Sequence, residues 1–219
     1  MNCPRIVIAG THSGVGKTSL ALALVSALKR RGLRVQTFKA GPDFLDPSHL
    51  ALASGRPSYN LDGWMMGKDY VCHLFTQVSN NADLAVIEGV MGMFDGADPA
   101  GLEGSTAEIA LWLNAPILLV VSAQGIARSL AAIVKGYVNF EPGVNIAGVI
   151  ANNCSSDRQA AWLGESLTAS LLPPLMGAIP RNALPALPSR HLGLVTADSS
   201  TLSYTMLEEL ADVFESQVS

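Results

Sequence analysis

At 219 residues the chain has room for one large domain or one domain with an appendage, taking about 150 residues per domain as a guide. Hydrophobic residues make up 49% and charged residues 15%, with a net charge of −4, which excludes a disordered chain and gives no electrostatic footprint for nucleic acid. Cys3, Cys72 and Cys154 form neither a metal spacing nor an even disulfide set, and neither a signal-like segment nor a membrane-length apolar run is read, so a reduced, cytoplasmic protein without a membrane partner is expected.

Short β-branched runs alternate with longer helical patterns, the signature of parallel β-α units. The first apolar run, 5–9, leads through A-G-T-H-S-G-V-G-K-T-S into a predicted helix over 17–31 that stops at Gly32. This is a phosphate-binding loop. Gly14 and Gly16 allow a tight turn with backbone N–H groups pointing inward, and the helix presents its positive end to an anion. Lys17 reaches the outer phosphates and the Thr18 hydroxyl suits Mg²⁺. The strict G-x-x-x-x-G-K-[ST] spacing is missed, because Thr11 stands where the first glycine belongs and Gly10 sits one residue early.

A second strand, 34–39, ends at Lys39 and is followed by A-G-P-D-F-L-D-P, which puts Asp43 and Asp46 beside the phosphate loop. A carboxylate there holds Mg²⁺ directly or through water, and a lysine neutralises charge on a moving phosphoryl group. The structural alternative is that Asp46 only caps the next helix, predicted over 48–53, with Pro47 at its first position. A helix over 69–78 and a strand over 83–87 follow. Glu88 ends that strand, where a buried carboxylate requires a metal or a basic neighbour. Met91, Met93 and Phe94 in the next loop either face a bulky apolar substrate or form loop core.

Further strands are predicted over 116–121, 145–151 and 175–178, with helices over 106–113, 126–140, 156–171 and 202–216. The run at 117–121 is apolar throughout, so both sheet faces are covered and the fold class is α/β, a doubly wound, mainly parallel sheet. In such folds ligands lie outside the carboxyl ends of the strands. Arg128 there is either a contact for a substrate carboxylate or a solvated first-turn residue. Asn152 offers an amide to a base edge, while Asn153 suits a turn. The four histidines have no metal-ligand spacing.

Several motifs together resemble the synthetase half of the cobyrinic acid a,c-diamide synthase family. They are A-G-T-H-S-G-V-G-K-T, F-K-A-G-P-D-F-L-D-P at 38–47, N-L-D-G-W-M at 60–65, V-I-E-G-V-M-G-M-F-D-G at 86–96, G-S-T-A-E at 104–108 and R-H-L-G-L-V at 190–195. The resemblance implies a dethiobiotin-synthetase-like phosphate-loop fold, with 1–219 as a single ATP-binding amidoligase domain. It also implies ATP- and Mg²⁺-dependent amidation of a corrinoid carboxylate through an acyl phosphate. By motif match, Thr11, His12, Ser13, Gly14, Val15, Gly16, Lys17, Thr18 and Ser19 would cradle the nucleotide. Lys17 and Lys39 would stabilise phosphoryl charge, and Thr18, Asp43 and Glu88 would hold Mg²⁺. Asp46 and Asp95 would orient the substrate or serve the second step, and Asn152 would meet the adenine edge with the backbone near Pro180 and Arg181 closing over the base.

Two departures accompany the resemblance. Phe44 stands where the family commonly has tyrosine. The family continues into a glutaminase domain that this sequence does not contain, so ammonia is expected from a separate glutaminase domain or subunit, and relatives of the fold lead to the expectation of a homodimer. The phosphate loop alone is shared with dethiobiotin synthetase and with ATPase switches that dimerise on DNA or membrane. Those switches carry an early loop lysine where His12 stands here, and often a basic C-terminal helix, whereas 202–216 is acidic where charged.

Overall fold

In the computed structural model, residues 3–185, 187 and 202–218 are described. The apolar runs form seven strands, β1 (Arg5–Gly10), β2 (Val35–Ala40), β3 (Tyr59–Leu61), β4 (Leu84–Glu88), β5 (Ile117–Ser122), β6 (Ile146–Cys154) and β7 (Leu175–Pro180). Among the described residues they make one parallel sheet in the order β3-β2-β4-β1-β5-β6-β7. The helices are α1 (Lys17–Arg30), α2 (Asp46–Ser54), α3 (Gly63–Val78), α4 (Thr106–Leu113), α5 (Ser129–Phe140), α6 (Asp157–Ala169) and α7 (Tyr204–Gln217).

The continuous apolar character of the strands has the predicted consequence of a doubly wound α/β sheet covered on both faces. One face packs Ile8, Val86, Val120 and Ile150 under Leu20 and Leu22 of α1, Leu50 of α2 and Leu207 and Leu210 of α7. The other packs Val7, Phe38, Ile87, Leu119 and Val149 under Phe75 of α3, Leu113 of α4, Val134 of α5 and Leu163 of α6. Each such side chain contributes roughly 1.5–3 kcal/mol on burial, so the sheet is a rigid base for the loops at its carboxyl edge. Strand order turns around at β1, which brings the loops after β1, β2 and β4 over one crevice.

Six predicted strands are present with ends shifted by one to three residues, and the 106–113 helix has the predicted bounds. Strand β3 was not predicted. It is three residues long, with Tyr59 exposed and a polar Asn60, and it pairs with β2 alone. Helix α3 begins six residues before the predicted position because Gly67, at φ 72° and ψ 163°, kinks it after one turn. Asp62 caps that turn by accepting from the N–H groups of Trp64 and Met65. Helix α5 starts at Ser129, not at 126, since 123–128 remains a turn with Gly125 at φ 71°. No described helix is long and apolar enough to cross a membrane.

Candidate functional site

The phosphate loop joins β1, at the centre of the sheet, to α1. Gly16 caps α1 at φ 106°, and a Cβ there would lie 2.4 Å from the Asn152 amide nitrogen, so glycine is required by both conformation and space. Asn152 Nδ2 donates to the Val15 carbonyl at 2.9 Å, and Tyr137 on α5 donates its hydroxyl to the Thr11 carbonyl at 2.7 Å. These bonds hold the loop from beneath and from one side. Lys17 is buried and its Nζ donates to the carbonyls of Met91 (2.5 Å) and His12 (3.3 Å). Burial, followed by the positive charge of Lys39, lowers its pKa below that of an ordinary lysine.

Strand register assembles the next part of the site. Asn60 on β3, Lys39 on β2, Glu88 on β4 and Ile8 on β1 are successive partners across the sheet, so their side chains share one face. Lys39 Nζ is 2.7 Å from Asp46 Oδ2 and 3.0 Å from Glu88 Oε1, and it also donates to the Gly89 carbonyl. Thr18 Oγ1 donates to the same Glu88 Oε1 at 2.5 Å. Lys39, Asp46 and Glu88 are 3%, 3% and 0% exposed, so this is an interior ionic cluster. Burial alone would lower the Lys39 pKa, but Glu88 and Asp46 together outweigh it and raise the value above the ordinary lysine range. Glu88 is raised, first by burial and then by Asp46, against the opposing pull of Lys39. Its Oε2 is buried without a hydrogen-bond partner.

The two acidic residues after β2 divide their work differently from the expected alternative. Asp43 Oδ1 accepts from the N–H groups of Leu45 (2.9 Å) and Asp46 (3.2 Å), closing a turn just before α2. Asp46 lies in the first turn of α2, turned inward to Lys39. Asn60 Nδ2 donates to the Asp43 carbonyl at 2.8 Å. A cavity of about 610 Å³ is lined by Ser13, Gly14, Gly16, Lys17, Thr18, Ser19, Lys39, Asp43, Asp46, Glu88, Val90, Met91 and Leu187. Thus six residues meet around one space: Lys17 and Thr18 opening α1, Lys39 of β2, Asp43 and Asp46 where the chain enters α2, and Glu88 ending β4.

Other residues singled out in the sequence lie elsewhere. Asp95 accepts from the Gly92 N–H and lines a neighbouring cavity with Phe94, Asp98 and Glu141. Asn152 faces the phosphate loop with its amide engaged at both ends, since Oδ1 also accepts from Asn153 N–H. Pro180, which ends β7, and Arg181 after it are exposed, with the Arg181 N–H bonded to the Cys154 carbonyl. Thr11 and His12 bond each other through Oγ1 and Nδ1, and Val15 is core. Met93 is fully buried, Phe94 packs on Tyr137 and Phe140, and only Met91 is exposed, at φ 44°. Arg128 is exposed at the start of α5. The motif at 190–195 lies outside the described residues.

Three supports were not identified from the sequence: Asn60, Tyr137 and Thr106, which both accepts from Val90 N–H and donates to the Val90 carbonyl. Asn60 and Thr106 lie in the motifs at 60–65 and 104–108, which carried the resemblance but no residue role, and Tyr137 lay unmarked in a predicted helix. Among the described residues there is no group of three His, Cys, Asp or Glu side chains arranged to hold a metal. Mg²⁺ in nucleotide sites takes one or two carboxylates and completes its shell with phosphates and water. The unpartnered Glu88 Oε2, the adjacent Thr18 hydroxyl and Asp43 on the cavity wall fit that requirement.

A phosphate loop between the central strand and first helix of a parallel sheet, with a buried carboxylate ending the neighbouring strand, defines a nucleotide-binding α/β protein of the phosphate-loop class. Residues 6–195 match the CobQ/CobB/MinD/ParA nucleotide binding domain, and the chain belongs to that family. It is 62% identical over 218 residues to a cobyrinate a,c-diamide synthase of Syntrophotalea carbinolica, a match covering 100% of this chain and 48% of that protein. It is 48% identical over 200 residues to a Leptospira interrogans protein of the same name, covering 91% of this chain and 43% of the relative. A hydrogenobyrinate a,c-diamide synthase of Streptomyces coelicolor is 48% identical over 192 residues, covering 88% and 39%. The chain therefore spans about half the length of the curated relatives it matches. The chloroplast FtsY structure from Physcomitrella patens shares the fold, with a TM-score of 0.55 at 14% identity, covering 96% of this chain and 66% of that one.

Proposed function

We propose that this chain is the ATP-dependent synthetase domain of a cobyrinate a,c-diamide synthase, amidating peripheral carboxylates of the corrinoid through an acyl phosphate. The observation that carries the reading is the single cavity in which Lys17, Thr18, Lys39, Asp43, Asp46 and Glu88 converge. The names of relatives matched over 88% to 100% of the chain support a corrinoid carboxylate as its substrate.

A carboxylate is a poor electrophile, so a substrate oxygen first attacks the γ-phosphorus of ATP, the bond to the β-phosphate oxygen breaks, and ADP leaves. Ammonia then attacks the acyl carbon, phosphate departs, and a proton is lost to leave the amide. The cavity offers positioning and charge neutralisation for these steps and no protein nucleophile. Lys17 and Lys39 offset the charge on the transferred group, Lys39 being held in place by Asp46 and Glu88. Thr18, Asp43 and Glu88 would hold Mg²⁺, which when bound screens the phosphates. Asp95 lies one cavity away, where it is suited to orienting the macrocycle and not to the phosphoryl step. Asn152, and the backbone at Pro180 and Arg181, border the base side. Ammonia would come from a glutaminase domain or subunit.

An ATPase switch that dimerises on DNA or membrane is less well supported. Leu207 and Leu210 of α7 are buried against the sheet, and its acidic residues pair with Arg30 and Arg31. The test is ADP release and amide formation with ammonium and a panel of tetrapyrrole acids. Product is expected with ammonium and none with glutamine alone. Asp43→Asn should lower the rate by about 10²-fold or more, as removal of a charge-stabilising group does, while preserving the turn, since an Asn carbonyl still accepts from Leu45 and Asp46. Turnover stimulated by DNA or lipid and indifferent to tetrapyrrole acids would replace this reading with the switch.

A further inference from the structure

The segment N-L-D-G-W-M at 60–65 has no part in the proposed chemistry, yet one of its side chains touches the metal-side loop. Asn60 lies on β3, beside Lys39 in register, and its Nδ2 donates to the Asp43 carbonyl at 2.8 Å. One residue on, the Leu61 carbonyl accepts from Gly41 N–H at 2.9 Å. Edge strand β3 thus grips both ends of 41–43. The path continues through the Asp43 carboxylate, which accepts from Leu45 and Asp46, into the first turn of α2 and so to the Asp46–Lys39 pair.

Among the described residues, the Asn60 Oδ1 is buried and has no hydrogen-bond partner. Turning the amide over would place that oxygen against the Asp43 carbonyl and lose the one bond it makes, so the contact to Asp43 fixes its orientation. We infer that Asn60 is a positioning residue, which holds the Asp43 peptide so that its carboxylate is preset for Mg²⁺-nucleotide. This rests on the proposed role of Asp43 at the metal.

The test compares the full chain with Asn60→Leu by thermal unfolding, by amide exchange at Leu45 and Asp46, and by ATP affinity with MgCl₂ or with EDTA. The variant should remain folded, with at most a small fall in unfolding temperature, and exchange faster at both amides. The gain in ATP affinity from Mg²⁺ should fall about 10- to 100-fold, the usual consequence of removing an outer support of a metal ligand, with affinity in EDTA unchanged. A folded variant that keeps wild-type exchange, or keeps the wild-type gain from Mg²⁺, overturns the inference, as does a wild-type chain that gains nothing from Mg²⁺. If the leucine variant does not fold, Asn60→Ser, too short to span to the Asp43 carbonyl, is measured in the same way. A wild-type chain that binds Mg²⁺-ATP but amidates no tetrapyrrole acid would count against the proposed reaction and leave this comparison standing.

Discussion

Two ionic clusters lie on the same helical layer of the molecule and use the same chemical groups in opposite ways. At the carboxyl edge of the sheet, Lys39 is enclosed between Asp46 and Glu88 with 4%, 4% and 0% of their side chains exposed. At the outer side of α1, Arg30 pairs with Glu208, Asp212 and Glu215 of α7 while 33%, 64%, 70% and 28% of those side chains remain exposed. The outer cluster has more partners, but water screens each of them. The inner one has fewer, and removing its cation leaves two carboxylates in a medium that solvates them poorly. Partner number therefore says little about importance, and enclosure says much. The interior cluster is also the one that borders the phosphate loop.

The largest effect should come from breaking the inner cluster on its basic side. Lys39→Met leaves Asp46 and Glu88 facing each other without a cation, and a loss of roughly 3–5 kcal/mol is expected, the cost of stranding a buried charge. Chemical denaturation would measure it. A loss no larger than that of Arg30→Ala would erase the distinction drawn between the clusters.

Glu88→Gln should separate function from stability within the same cluster. Burial raises the Glu88 pKa above its ordinary 4.5, so between those two values the folded state binds more protons than the unfolded state. The sign follows: the wild type loses stability from this group as pH rises through that interval, and the Gln variant does not. Denaturation from pH 4 upward should show the variant gaining on the wild type, whereas its phosphoryl transfer falls about 10²- to 10³-fold. A variant that loses stability relative to wild type with rising pH would show that the Lys39 attraction dominates over burial.

Much of this site was legible because its residues follow strands directly. Lys39 and Glu88 end apolar runs, and Lys17 and Thr18 sit in a spaced loop motif, so position along the chain placed them at the sheet edge. What sequence could not resolve was which of two neighbouring carboxylates turns inward. Asp43 and Asp46 are three residues apart, and the choice depends on where the Lys39 ammonium is held, which its pairing with Glu88 of the neighbouring strand decides. Strand β3 was hidden for the opposite reason: three residues with an exposed tyrosine carry no period, and pairing to β2 alone makes them a strand. Asn152 was legible as the end of an apolar strand, but its bond to the Val15 carbonyl was not, because it crosses to a loop far away in sequence.

On the outer cluster the expected effects are smaller. Arg30 has its pKa raised, chiefly by hydrogen bonds to Asp212 and Glu215, but it is solvent-exposed and the pairs are screened. Arg30→Ala should therefore leave global unfolding nearly unchanged and show itself locally, as faster amide exchange along α7. High salt should produce the same loosening in the wild type, since at 1 M ionic strength the screening length is about 3 Å. Global destabilisation comparable to Lys39→Met would mean that the α7 contact is a structural keystone and not a fastening.

The smallest effect is expected at the best-formed ion pair on the surface. Asp83 accepts from the Arg34 guanidinium at 2.8 and 3.1 Å and from the Arg34 backbone N–H at 2.8 Å. The Arg34 side chain first, and its N–H second, hold the Asp83 carboxyl at about 2, below its ordinary 3.8. Between those values the unfolded chain binds the proton more readily, so the pair's contribution is fully present above pH 3.8 and is lost as pH falls toward 2. Unfolding curves of wild type and Asp83→Asn should run a small, constant distance apart at neutral pH and converge across that acid interval. Persistence of the gap at pH 2 would assign it to the shape of the turn and not to charge. Asp83 makes three hydrogen bonds to Arg34, while Lys39 bonds to Glu88, Asp46 and the Gly89 carbonyl, so the two are matched in number. A large effect at Lys39 beside a small one at Asp83 would then isolate enclosure as the variable that gives the inner cluster its weight.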